Sequence, residues 1–230
     1  MFIAITLAQI GLWILYIAIP ILIIYFSYLL LTKAFKYMGF SSIEAAVIVF
    51  VSIIFYFDIL ILGFNISNIY LFSYNNWNVG INVGGALIPL ILSIYFVIKK
   101  KIPLKMVLIG IIIVSIVTYF VTRVDVHSGI VSTAPYFLLP AIAASLVSVA
   151  LLWKDFKKAA PFAYISGSIG VLVGADVFHL WELLSTPVNT QVNAVIGGAN
   201  VFDMIYITGI IAVILDGILM FKQRSKEGLD

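Results

Sequence analysis

Two aspartates stand out in this chain, because each lies in a run that otherwise looks membrane-spanning. Asp176 closes the segment from Gly170 through Gly174 and Ala175. Asp203 follows Gly197, Gly198, Ala199, Asn200, Val201 and Phe202. A carboxylate at the centre of a transmembrane helix costs roughly 2.5–3.5 kcal/mol on insertion scales, so two of them near facing ends of consecutive helices need a reason. Held together, two carboxylates cannot both ionise. They share a proton, one acting as base on a water and the other as acid toward a carbonyl, which is di-aspartyl hydrolysis. The small residues Gly174, Ala175, Gly197, Gly198 and Ala199 would let the backbones approach and leave room for an extended substrate.

Three other readings of the same residues stay open. Asp176, His179 and Glu182 step three residues at a time along one helix, and His127 and Asp203 would complete an oxygen and nitrogen metal site. Intramembrane acids also serve as proton or cation relays, and Gly84, Gly85 and Pro89 would break a helix as transporter helices are broken. The plainest reading has each aspartate hydrogen-bonding its own helix end. Asp58 and Asn82 fall toward the same ends as the pair. Asp216 falls toward the opposite end, where an inner lysine is the expected partner.

The elements that must position these residues are helices. The chain has 230 residues, of which 63% are hydrophobic and 10% charged, and a mean hydropathy of +1.20. That is the composition of a polytopic α-helical membrane protein. Its apolar runs are about twenty residues long, which excludes the ten-residue alternation of a β-barrel. With no cysteine, disulfides, thiol catalysis and thiolate metal sites are excluded. The expected fold is all-α, a single transmembrane domain over 1–230. About seven spans are expected, near 3–31, 43–64, 79–98, 104–121, 131–152, 159–181 and 200–221.

Charge sets the expected orientation. Lys33 and Lys36, then Lys99, Lys100, Lys101 and Lys105, then Lys154, Lys157 and Lys158, then Lys222, Arg224 and Lys226 all fall on one side of seven spans. Of the 13 basic residues only Arg123 falls on the other. The positive-inside rule places the N-terminus out and the C-terminus in. The net charge of +3 therefore reads as topology, with no nucleic-acid partner. Residues 65–78 and 182–199 are expected as outer connections, the second a re-entrant lid or a surface loop. Trp77, Trp153 and Trp181 are expected as interfacial anchors. The two Gly-Gly-Ala segments, at 84–86 and 197–199, form a weak echo. Small residues are so common in membrane helices that it does not count as a repeat.

The segments Asn82 to Pro89, Ala163 to Gly167, Gly174-Ala175-Asp176 and Gly197 to Asp203 together resemble an uncharacterised family of prokaryotic integral membrane proteins, the domain of unknown function 1614. The resemblance runs from the second span onward and implies no activity. An aspartate after small residues in one helix and an aromatic-Asp pair in the next is also similar to the intramembrane aspartyl proteases of the presenilin, signal peptide peptidase and prepilin peptidase group. Ala86 to Pro89 is similar to their proline-alanine-leucine motif. The order of the two aspartate motifs is the reverse of presenilin's, and Val173-Gly174-Ala175-Asp176 lacks two of the motif's glycines. This second resemblance implies Asp176 and Asp203 as catalytic acids, supported by Gly174, Ala175, Gly197, Gly198, Phe202, Asn82 and His179. It implies a transmembrane or membrane-proximal peptide as substrate, lipid as surroundings, no cofactor, and a place in the cell membrane.

Overall fold

Seven helices form where the sequence carries its seven apolar runs: α1 (Leu7–Met38), α2 (Ser42–Ile54), α3 (Val83–Lys100), α4 (Leu104–Val121), α5 (Leu139–Leu152), α6 (Phe156–Ser185) and α7 (Met204–Leu219). The computed structural model describes residues 7–55, 59–62, 64–125, 129–198 and 204–220. Four of the helices, α1, α3, α4 and α6, are long and apolar enough to cross a membrane.

Local chemistry sets several helix ends. Ser41 and Glu44 form a reciprocal cap at the start of α2: the Glu44 amide donates to Ser41 Oγ at 3.2 Å and the Ser41 amide to Glu44 Oε2 at 2.7 Å. Pro140 sits in the first turn of α5, where a missing amide proton costs nothing, and Pro89 opens the α-helical part of α3 after its π turn. Lys101 closes α3 in the left-handed conformation (φ 50°).

The centre of the bundle is α6, which packs against α7, α4, α5 and α3. Its residues from Ala159 to Ser168 are all buried. Phe35, Phe96, Phe162, Tyr164, Tyr206 and Met220 belong to the main core around it. Only the last turns of α1 join that core, through Leu31, Ala34, Phe35 and Met38 at helical spacing. The lysine-bearing turns gather at one end of the bundle. The Lys100 ammonium lies where a Cβ on Gly39 would point, at 2.8 Å, and the ring of Tyr37 lies against Gly217 in the same way, at 2.6 Å.

The opposite end carries strands, and here the all-helical expectation needs correction. Residues 65–78, expected as a connection, supply the end of β2 (Phe64–Asn65), paired with β1 (Leu60–Ile61), and β3 (Asn68–Tyr74). β3 turns back into β4 (Trp77–Asn82). Asn75 and Asn76 both have positive φ, 46° and 65°, the type I′ geometry whose twist matches a hairpin. The 182–199 link, expected as a re-entrant lid or a surface loop, carries regular structure in its described residues. It contains β7 (Val192–Ile196), which pairs parallel with β4, Trp77 opposite Val192 and Ile81 opposite Ile196. A second hairpin, β5 (Thr122–Asp125) with β6 (Gly129–Ser132), occupies the α4–α5 connection. The spans expected at 43–64, 79–98 and 131–152 therefore each contain strand residues, and their helical portions are shorter.

Trp77 is likewise no interfacial anchor. It is 2% exposed, its Nε1–H donates to the Thr186 carbonyl at 3.0 Å, and it packs with Val79, Leu183, Leu184 and Ala194 under the sheet. Trp181 and Trp153, at 69% and 51% exposure, have the surface positions expected of anchors.

Candidate functional site

Two of the three small-residue segments singled out by sequence form π-helical turns, one at the head of α3 (Val83–Leu87) and one inside α6 (Leu172–Val177). A π turn adds a residue to the helical repeat and re-aims the side chains on it, and such turns recur at functional sites. In α6 the turn is set by packing against α4. A Cβ on Gly174 would fall 2.7 Å from Thr118 Cβ and 2.9 Å from Ser115 Cα. Only glycine lets the two helices come this close, and Asp176 is carried two residues further on the same turn.

Asp176 is half-buried, and its Oδ2 accepts the Gly197 amide at 2.6 Å. This charge-assisted bond joins α6 to the segment that follows β7. Gly197 and Gly198 have φ of +90° and +65°, a left-handed pair that strains any residue with a side chain. A Cβ on Gly197 would lie 2.5 Å from Ala86 Cβ, and one on Gly85 would run into the Gly197 carbonyl. The two Gly-Gly pairs of the segments not counted as a repeat thus meet in space, Gly85 against Gly197. Each follows one of two strands that pair in parallel.

Asn82 ends β4 and caps the α3 π turn. Its Oδ1 accepts the Gly85 amide at 2.7 Å, and its Nδ2–H donates to Asn68 Oδ1 at 2.7 Å. At 1% exposure it fixes the turn against the sheet, so its role is to hold the Gly85 surface that Gly197 docks on. Ala175 forms a buried cluster with Val171 and Ile205, against which Leu172 and Met204 pack, so the first residues of α7 join the cluster that the Asp176 turn contributes to.

His179 is directed elsewhere. Its Nδ1 lies 3.0 Å from Glu182 Oε2, its Nε2 lies 3.1 Å from Thr122 Oγ1, and its ring stacks on Tyr119 at 4.7 Å. With both nitrogens engaged, it ties α6 to the end of α4 and leaves no nitrogen for a metal. Among the described residues no group of three or more His, Asp or Glu is placed to hold a metal ion. Phe202 and Asp203, with Asp58, His127 and Ala199, lie outside the described residues.

The Gly197 amide as the partner of Asp176 was not foreseen. The signal for part of it was the Asn75-Asn76 pair between apolar strands, a hairpin marker that would have placed β3 and β4.

No match was found among curated proteins or among solved structures. The profile of a family described as protein of unknown function, DUF1614, matches residues 54–215. That span takes in both π turns, the three-stranded sheet and most of α7. The chain belongs to the DUF1614 family.

Proposed function

We propose that this protein is an intramembrane aspartyl peptidase, crossing the cell membrane seven times with its N-terminus outside and its C-terminus inside. Asp176 and Asp203 would hydrolyse peptide bonds in or near the membrane. The observation that carries this reading is the 2.6 Å bond from the Gly197 amide to Asp176. It ties Gly197, which leads toward Asp203 in sequence, to the turn that holds Asp176, while Met204, next to Asp203 in sequence, packs against the cluster that includes Ala175 of that turn. A dyad built this way shares one proton. The ionised acid takes a proton from water as it attacks the scissile carbonyl, and the protonated acid gives its proton to the carbonyl oxygen.

Two features support a peptide as substrate. β7 runs directly into Gly197, and its edge away from β4 has no strand partner among the described residues, the geometry in which an extended peptide adds to a sheet. The gathering of Lys100 and the α1–α2 turn at the end opposite the sheet fits a site facing the outer side under the positive-inside rule.

The test uses purified protein in liposomes with a fluorescent transmembrane test peptide. Cleavage by the wild type, abolished in both Asp176→Asn and Asp203→Asn with the folded fraction preserved, is the expected result. No cleavage by the wild type across a panel of peptides, or cleavage that persists in both variants, sinks the reading. A non-enzymatic proton- or cation-coupled carrier is the second reading. It is favoured by one observation, the fully buried acid Asp216 in α7. Ion-dependent flux into the same liposomes, with no cleavage, would put it first.

A further inference from the structure

β7 has two edges, and its hydrogen bonds assign each backbone amide to one of them. Peptide planes flip at every residue of a strand, so alternate residues face the same edge. The Val192 N–H donates to the Asn76 carbonyl at 2.9 Å, on the β4 side. Val192, Ala194 and Ile196 therefore face β4, and their ladder runs without a break from Trp77 opposite Val192 to Ile81 opposite Ile196. Asn193, Val195 and the Gly197 amide face the other way.

The Gly197 amide is the one that Asp176 Oδ2 binds at 2.6 Å. The carboxylate thus stands on the outer edge of β7, in the row begun by Asn193 and Val195. The row from the Asn193 amide to the Gly197 amide is about 13 Å long, at ~3.3 Å per residue. Its first two positions have no strand opposite them among the described residues. Asn193 is exposed and Val195 half-buried. Val192–Ile196 also carries no charge and no proline, the usual guards of an edge.

We propose that this edge is where the substrate docks: an extended peptide segment pairs with Asn193 and Val195, and the pairing leads its backbone to Asp176. The cut at Asp176 rests on the peptidase reading, whereas the pairing does not. The chemistry of the ligand follows. A helical segment has already used its backbone groups and cannot bind a strand edge, so the segment must be extended. Its side chains alternate between the two faces of the sheet. On one face they fall beside Val192, Ala194 and Ile196, which pack with Trp77 and Val79, so every second residue of the peptide is apolar. A row that ends on a half-buried acid suits a peptide and not a second copy of the chain, because a contact between copies has no use for the carboxylate.

Disulfide mapping tests this, since the chain has no cysteine. The full-length Asn193→Cys protein in liposomes is exposed to the fluorescent transmembrane peptide, synthesised with one cysteine at successive positions. Residues opposite each other on paired strands have Cα atoms about 4.5–5.5 Å apart, within disulfide range. Crosslinking at every second peptide position is expected, and adding Val195→Pro should abolish it. That proline costs the β4 ladder no bond, because the Val195 amide points outward, and its ring blocks the edge. If the proline variant does not fold, the two-residue period alone decides. Crosslinking with a helical period, with no period or at no position overturns the proposal, as does crosslinking that survives Val195→Pro. So does a disulfide between two copies of the chain that added peptide does not displace. The two readings fail separately. A two-residue period with no cleavage leaves the docking edge standing and sinks the peptidase, and cleavage without that period does the reverse.

Discussion

Gly85 and Gly197 meet backbone to backbone: the face of Gly85 that would bear a side chain is filled by the Gly197 carbonyl. This contact holds the π turn of α3 against the segment whose amide binds Asp176. Gly85→Ala and Gly197→Ala should each destabilise the protein by about 1–3 kcal/mol, the range for overpacked sites. Gly84→Ala is the control, since its Cβ would meet Ser52, Asn82 and Phe55 at 3.3–3.4 Å, a distance that small shifts relieve. Thermal denaturation in detergent reads all three, and equal losses at positions 84 and 85 would refute the contact.

Asp176 has a structural task whatever its chemistry. Asp176→Asn keeps an oxygen for the Gly197 amide, so the melting temperature should stay close to that of the wild type. Asp176→Ala removes a charge-assisted bond and should cost about 1.5–3 kcal/mol. Similar stability in the two variants would show that the 2.6 Å bond contributes nothing.

His179 gives a separate prediction. His179→Ala removes two hydrogen bonds and the stack on Tyr119 and should cost about 1–3 kcal/mol. Added zinc should leave the wild-type melting curve unchanged. Strong zinc stabilisation that vanishes in His179→Ala would restore the metal reading.

The tryptophans divide by burial. Trp77→Ala should cost about 3–5 kcal/mol, as deletion of a buried aromatic does. Trp181→Ala, at 69% exposure, should change stability by no more than about 0.5 kcal/mol. Comparable losses at both positions would contradict the packing under the sheet.

Orientation can be read by labelling, because the chain has no cysteine of its own. A single cysteine at Asn75, in the β3–β4 turn, should react with an impermeant thiol reagent added to intact cells. One at Lys101 should react only after the membrane is opened. The reverse pattern would invert the proposed topology.

The sequence alone determined the helices, because continuous apolar runs of span length have few other fates; its twelve basic residues on one side of the seven expected spans underlie the orientation we propose. It also marked Gly84-Gly85, Gly174-Ala175 and Gly197-Gly198, because small residues are needed wherever membrane backbones touch. What it left undecided was which small residues touch which. That depends on β4 pairing with β7, strands 115 positions apart in register, Trp77 with Val192. Their pairing follows from how α3, α6 and α7 pack, and no local pattern encodes it. The same holds for Asp216. Its burial inside an apolar helix was legible, but its partner was expected to be a lysine at the near end. The structure places Ser148 of α5 beside Asp216, because the face of α7 that carries Asp216 is turned toward α5, a contact that packing decides.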